Sequence, residues 1–243
     1  MTGFVPPRWR GAPRALGRGL AALGLLLWPV PGLANSPFAP APPHADMAKA
    51  PWRALGRVQT ELGTRCTGFL IGPNLVMTAA HCLYRPVTGH YVQPASVHFL
   101  WRYALGAYAG QSRAVRFVIS PGFNPREEDR TMGLDRAFLI LAHPLGTRQD
   151  RLRFAPSLPP PGSTVFLGGY ERGHDEILQI ERCRLLKMAA DQGGHHLLLS
   201  NCPAEPGASG APLLSLLPDG HWGVIGLMVA DWHGESVAEP LTR

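Results

Sequence analysis

Cys66-Thr-Gly-Phe-Leu-Ile-Gly-Pro-Asn-Leu-Val-Met-Thr-Ala-Ala-His81-Cys82 is the stretch around which the rest of the chain is arranged. Two short apolar runs, Phe69 to Ile71 and Leu75 to Met77, flank Gly72-Pro73-Asn74. Those three residues favour a tight turn, so the segment is expected to form two paired strands. His81 then stands just past the second strand, beside Cys82. A histidine in that position is either a buried structural group or a base that activates a hydroxyl.

Length and composition set the limits. With 243 residues, 45% of them hydrophobic and 16% charged, the chain can bury a sizeable core as one large domain or two small ones. Lys and Arg outnumber Asp and Glu by 23 to 17, a formal charge of +6. Arg8, Arg10, Arg14 and Arg18 fall in the first 34 residues, where there is no acid, and without that segment the balance is 6 − 4 = +2. The basic character therefore belongs to the amino-terminal segment, and no nucleic-acid partner is implied.

That segment reads as an export signal. An apolar run from Gly19 to Val30 precedes Pro31-Gly32-Leu33-Ala34, whose small residues suit a signal peptidase, so residues 1–34 are assigned as a signal peptide cleaved after Ala34. At about 12 residues the run is short of the ~20 needed to cross a bilayer, and no membrane span is expected in the mature chain. Residues 35–51 are rich in Pro and Ala and read as an extended arm or short pro-segment. The folded domain is expected over 52–243. Cys66, Cys82, Cys183 and Cys202 contain no Cys-x-x-Cys pair and suit two disulfides better than a zinc site. Disulfides require an oxidising compartment, so a secreted or periplasmic location is expected.

From Arg57 onward short β-rich runs alternate with Gly and Pro breaks. Beyond Arg57 to Thr60 and the two runs of the opening stretch, they are Val97 to Trp101, Ala114 to Ile119, Ala137 to Leu141, Thr164 to Leu167, Cys183 to Met188, Leu197 to Ser200, Leu213 to Leu217 and Val224 to Val229. Neither helical periodicity nor an internal sequence repeat is seen after the signal segment. Roughly eleven short strands with turn signals predict an antiparallel sandwich or barrel.

Thr78-Ala79-Ala80-His81-Cys82 resembles the Thr-Ala-Ala-His-Cys segment of the chymotrypsin-like (trypsin-fold) serine peptidases, and the chain resembles most their bacterial secreted members related to the glutamyl endopeptidases. The resemblance implies an all-β fold of two six-stranded antiparallel barrels with the active site in the cleft between them. The crossing between barrels would fall near 142–161, where Pro144, Pro156, Pro159, Pro160 and Pro161 accumulate. It also implies a disulfide from Cys66 to Cys82, which would restrict the unfolded chain by roughly 3 kcal/mol, and a second from Cys183 to Cys202.

The family's catalytic roles map onto three fragments of this sequence. His81 would be the general base. Gly133-Leu134-Asp135-Arg136-Ala137-Phe138-Leu139-Ile140-Leu141 resembles the family's Asp-Ile-Ala-Leu-Leu segment, so Asp135 would orient the His81 imidazole and stabilise its protonated form. Gly207-Ala208-Ser209-Gly210-Ala211-Pro212 resembles the Gly-Asp-Ser-Gly-Gly-Pro signature, with Ser209 as nucleophile and the N–H groups of Gly207 and Ser209 as the oxyanion hole. The order His, Asp, Ser is that of chymotrypsin, and Ala211 breaks the Gly-x-Ser-x-Gly elbow of the α/β-hydrolases.

Two departures stand out. Ala208 replaces the aspartate that, in trypsin, pairs with the freed amino terminus, and Ala211 replaces the second glycine. Without that acid the trypsin type of activation cannot operate, and the serine loop must be stabilised in another way. The expected substrate pocket lies around Pro203 to Pro206 and Leu227 to Asp231, with Glu205, Met228 and Asp231 as its candidate residues. Met228 aligns with the histidine of the glutamyl-specific relatives, so preference for an acidic side chain is not expected. His195-His196 follows a Gly-Gly turn with no partner at zinc spacing, and no metal or organic cofactor is implied. The resulting expectation is a monomeric serine endopeptidase acting on polypeptides through an acyl-enzyme. The competing expectation is a catalytically silent binding protein on the same fold.

Overall fold

The computed structural model describes residues 46–232 and 234–242. The expected signal peptide and most of the Pro/Ala-rich arm lie outside the described residues.

Six strands, β1 (Leu55–Thr60), β2 (Arg65–Gly72), β3 (Leu75–Thr78), β4 (Val97–Trp101), β5 (Gly110–Ile119) and β6 (Ala137–Leu141), close into a barrel in the order β1-β2-β3-β6-β5-β4. Six more, β7 (Thr164–Gly169), β8 (Gln179–Ala190), β9 (His196–Ser200), β10 (Pro212–Leu216), β11 (Trp222–Trp232) and β12 (Glu235–Pro240), close in the order β7-β8-β9-β12-β11-β10. The two orders are the same, and all the pairings within both barrels are antiparallel. The fold is thus all-β with two six-stranded barrels.

Alternation along the strands explains why these residues close as they do. In β6, Ala137, Leu139 and Leu141 are buried while Phe138 and Ile140 are partly covered. In β5, Ser112 and Ala114 are buried and Gln111, Arg113 and Val115 exposed, the period of two that a pleated strand imposes, until a register shift between Ala114 and Arg116 turns Arg116 outward as well. Each of the eleven expected runs falls on one of these strands, with some ends shifted. β12 is the twelfth, and the sequence reading passed over it because Glu235-Ser-Val-Ala-Glu239-Pro carries two acids and a terminal proline. Its Glu239 is nevertheless buried, facing Arg136.

Each barrel has its own core: Val58, Leu70, Phe99 and Leu139 in the first, Val165, Leu185, Leu198 and Ile225 in the second. A third cluster draws on both, with Leu55, Phe69 and Met77 meeting Leu197, Leu214 and Leu227. Burial of each such side chain contributes about 1.5–3 kcal/mol, so the two barrels are packed as one body along the line where the site forms. The chain between them is stitched to each in turn. Leu152 donates its N–H to Leu70 O at 2.9 Å, and Arg153–Phe154 then pairs in parallel with Gly223 and Val224 of β11. No helix among the described residues is long and apolar enough to cross a membrane.

Candidate active site

β3 ends at Thr78, the fully buried Ala79 and Ala80 follow, and the chain then tightens into a single 3₁₀ turn, His81–Leu83. Cys82 is anchored to Cys66 of β2 by a disulfide with S–S 2.03 Å. The turn presents the His81 ring to a carboxylate from the segment leading into β6, the strand paired with β3 in the same barrel. Asp135, 2% exposed, sits at the end of a helical segment made of Glu128–Thr131 and Met132–Leu134, just before β6.

Asp135 holds His81 twice. One oxygen lies 2.5 Å from Nδ1 and the other accepts the His81 backbone N–H at 2.9 Å. The ring is thereby fixed with Nδ1 protonated and Nε2 as the basic nitrogen; Nε2 lies 3.8 Å from Cys82 Sγ, and among the described residues no hydrogen bond joins it to Ser209. Burial works against the imidazolium, but the charge and hydrogen bond of Asp135, assisted by Glu128, outweigh it and raise the His81 pKa above the ordinary imidazole value. Cys66, His81 and Cys82 cluster closely enough to suggest metal ligands, but both sulfurs are committed to each other in the disulfide and offer no thiolate.

The second barrel secures the segment carrying Asp135. The Asp191 carboxylate, in the β8–β9 loop, accepts the Gly133 N–H at 3.1 Å, and the Gln192 N–H reaches Asp129 O at 2.9 Å. His195, expected in a turn after two glycines with no metal role, faces Asp191 at 3.0 Å and Arg130 O at 3.1 Å. On the other side of Asp135, Arg136 reaches Glu239 of β12 at 2.8 Å. Neither tie was read from the sequence. Asp191-Gln-Gly-Gly-His is the one local signal, since an aspartate before two glycines commonly accepts backbone N–H groups in a loop.

Thr67 secures the loop that carries Ser209. Its N–H donates to Ser209 O at 2.9 Å, its hydroxyl donates to Gly207 O at 2.9 Å, and the same oxygen accepts the Tyr170 N–H at 2.9 Å. Thr78, three residues before His81, donates its hydroxyl to Thr67 O at 2.7 Å. Gly210 follows at φ +83°, where a Cβ would stand 2.2 Å from Thr67 O and 2.4 Å from the Thr78 hydroxyl, so only glycine fits. Its N–H donates to Met228 O at 2.7 Å, which pins the loop to β11. The serine loop thus lies against the β2 and β3 backbone that leads into His81.

Among the described residues, the N–H groups of Gly207 and Ser209 have no intramolecular acceptor, while that of Ala208 between them donates to Glu205 O. Gly207 sits at φ +110°, where a Cβ would stand 2.3 Å from Tyr170 O, leaving no room for a side chain. Ala208 is fully buried in the second-barrel core with the Cys183–Cys202 disulfide, Ala211 and Met228. The neighbouring strand supplies a glycine, Gly169, at the point of closest approach to Ala208. Apolar packing therefore occupies the place of the missing acid. Arg172 N–H to Pro206 O at 2.7 Å closes the loop from outside. Beside it, burial pushes the Glu171 carboxyl up to about 7, against the pull of the Glu205 N–H and with the charges of Glu181 and Glu205 adding to the rise.

The three candidate pocket residues are placed differently from one another. Glu205 is exposed. The Met228 side chain is 4% exposed and packs in the second-barrel core. Asp231 is exposed near the end of β11, where its carboxylate accepts the Gly234 N–H at 3.3 Å.

Residues 41–192 match the family described as Trypsin, a span that includes His81 and Asp135 and stops short of Ser209. Among curated proteins the chain is similar to a glutamyl endopeptidase of Bacillus licheniformis, 27% identical over 121 residues, which is 49% of this chain and 36% of that protein. It is also similar to the cercarial protease of Schistosoma mansoni, 28% identical over 190 residues, 67% of this chain and 70% of that one. A third relative is serine protease 23 of Rattus norvegicus, 29% identical over 171 residues, covering 62% and 43%. The matched region is thus about a third of the length of the Bacillus relative. In fold, the chain is similar to a solved Glu endopeptidase in complex with MPD, with a TM-score of 0.68, 17% identity, and coverage of 82% of this chain and 89% of that one.

Proposed function

The chain belongs to the trypsin family, and from that premise we propose that it is a secreted serine endopeptidase that cleaves polypeptides with Ser209, His81 and Asp135. The observation that carries the proposal is the double hold of Asp135 on His81, through Nδ1 and through the backbone N–H. It leaves Nε2 as the one ring nitrogen able to take a proton from Ser209.

The sequence of events follows from the donors present. Ser209 Oγ adds to the scissile carbonyl carbon as its proton passes to His81 Nε2, and Asp135 stabilises the imidazolium. The carbonyl oxygen becomes an anion next to the unpaired N–H groups of Gly207 and Ser209. Collapse expels the amine, which takes its proton from His81, and leaves an ester on Ser209. Water, deprotonated by His81, then releases the acid and restores the serine. None of these steps draws on a metal or organic cofactor.

One observation favours this reading over a silent binding protein. Ala208 and Ala211 fill the core without pulling the Gly207 and Ser209 N–H groups into intramolecular bonds. The two disulfides bear on location alone, and suit export into an oxidising space. The glutamyl specificity in the name of one relative is not carried over, because Met228 offers no cation to an acidic side chain. Reaction of the purified protein with a fluorophosphonate, together with cleavage of a peptide library, tests the proposal. Labelling that disappears in Ser209→Ala supports it. A folded protein that neither labels nor cleaves overturns it in favour of the binding reading.

A further inference from the structure

A cavity of about 550 Å³, lined by none of His81, Asp135 and Ser209, lies where the turn before β1, the segment joining the barrels and the β10–β11 hairpin meet. Arg53, Arg148, Arg151 and Arg153 all line it, with Trp222 on the hairpin side. Among the described residues none of these four guanidinium groups makes a hydrogen bond or ion pair. The Nε atoms of Arg53 and Arg151 are buried and without an acceptor.

The one carboxylate in the wall does not relieve this. Asp150 is committed to Arg102, at 2.5 Å, and to the N–H and hydroxyl of Thr147, at 2.9 and 2.8 Å. Arg53 feels that charge only at longer range. The wall therefore carries four unpaired cations around a single hollow. Arginines with free ends normally spread over a surface, where water solvates them and mutual repulsion is screened. Here they converge, and two of their donors are removed from solvent without compensation, a costly arrangement unless an acceptor completes it.

We propose that this cavity is a binding site for a multivalent tetrahedral oxyanion, of phosphate or sulfate chemistry. The guanidinium fork presents paired N–H donors that match the oxygen spacing of phosphate and sulfate groups, and four forks suit a ligand bearing more than one such group. Carboxylate ligands fit less well, because a single carboxylate brings one charge and two oxygens to a wall that holds four guanidinium groups. The site includes none of His81, Asp135 and Ser209, so it does not depend on the function proposed above. Its position has a consequence for stability. Arg53 precedes the first barrel, and Arg153 begins the short strand paired to the second. A bound anion would bridge the two barrels and stabilise the folded state by mass action.

Calorimetric titration of the full chain in 150 mM salt, with sodium tripolyphosphate in one arm and a fully sulfated heparin disaccharide in the other, tests the site. The expected result is one saturable site per chain for at least one probe, with a thermal midpoint that rises with ligand. The tighter arm identifies the source of the anion. Arg53→Gln combined with Arg151→Gln should weaken binding at least tenfold. Should that pair fail to fold, Arg148→Gln with Arg153→Gln, both at exposed positions, replaces it with the same expectation. Arg113→Gln with Arg116→Gln, exposed on β5 and outside the cavity, removes the same charge and should leave affinity unchanged. Absence of binding in both arms at millimolar ligand overturns the proposal, as does equal weakening by the β5 variants, which would mean diffuse attraction to a basic surface.

Discussion

Asp191 and Gly133 join the two barrels: the Asp191 carboxylate accepts the Gly133 N–H at 3.1 Å, two residues before Asp135. The same carboxylate accepts the Gly193 and His195 N–H groups, each at 2.9 Å, and faces the His195 ring. Burial alone would raise its pKa, but those bonds outweigh burial and hold it below the ordinary aspartate value. Its contribution to stability is accordingly present above about pH 4 and is lost as pH falls through the depressed pKa. Asp191→Ala should leave Gly133 unpaired, at a cost of about 1.5–3 kcal/mol, and let the Asp135 turn relax. The expected kinetic signature is a lower kcat with KM within twofold of the parent. Unchanged kcat with a lowered melting point would reduce the tie to scaffold.

Thr67 connects the first disulfide strand to the serine loop through one hydroxyl that both donates and accepts. Valine has nearly the same shape and neither capacity. Thr67→Val should strand the Gly207 carbonyl and the Tyr170 N–H, about 1–3 kcal/mol each, while the backbone bond to Ser209 persists. Because the Gly207 carbonyl is the one released, the oxyanion donors should lose their aim, and kcat should fall roughly tenfold or more. Steady-state kinetics alongside a denaturant melt separates that loss from simple unfolding.

These two residues also show where the sequence stops being readable. Strands are legible because burial of one face demands alternating apolar side chains, and Val97–Trp101 and Ala137–Leu141 come out with the same bounds in the structure. The shared strand order of the barrels leaves no sequence repeat, since each core asks only for apolar residues at alternate positions and many sequences satisfy that. The triad candidates were legible because each stands in a distinctive motif. Thr67 and Asp191 do not: a threonine in a strand and an aspartate in a loop gain their roles from partners more than fifty positions away. β12 was missed for the related reason that Glu239 reads as solvent-facing until Arg136 is placed against it.

Ala208 occupies a fully buried position against Gly169 and the Cys183–Cys202 disulfide. Restoring the acid of the trypsin signature should therefore harm this chain. Ala208→Asp would bury a carboxylate with no cation among its core neighbours, at a cost of about 3–5 kcal/mol, or roughly 6–20 °C in Tm for a domain of this size. Calorimetry decides it. A variant as stable as the parent would show that the loop is held by something other than apolar packing.

Glu239 is 3% exposed, and burial, against the pull of Arg136 and with the Asp135 charge adding to it, pushes its carboxyl up to about 8. The folded chain keeps this proton where the unfolded chain releases it, so the residue's contribution to stability is largest below about pH 4.5 and declines as pH rises towards 8. Glu239→Gln keeps an oxygen for Arg136 and removes the titration. Between pH 5 and 8 the parent should lose more Tm than the variant, and parallel melting curves would contradict the assignment.

The His81–Asp135 pair couples activity and stability with opposite signs. In the proposed mechanism attack by Ser209 needs the neutral imidazole, so kcat/KM should rise with pH to a plateau, with a midpoint above 6.5 because the His81 pKa is raised in the fold. A raised pKa means that folding favours the imidazolium. That stabilisation is complete below the unfolded value and disappears as pH passes through the folded one, the same interval in which activity appears. Asp135→Asn removes the charge and leaves burial, which lowers the pKa. The midpoint should therefore drop below 6.5 while the plateau falls by about 10⁴-fold, and the stability attached to His81 protonation should vanish from the melting curves. pH–rate profiles and melts of parent and variant over pH 5 to 9 measure both effects. A midpoint that does not move on loss of Asp135 would mean that the carboxylate does not govern the base.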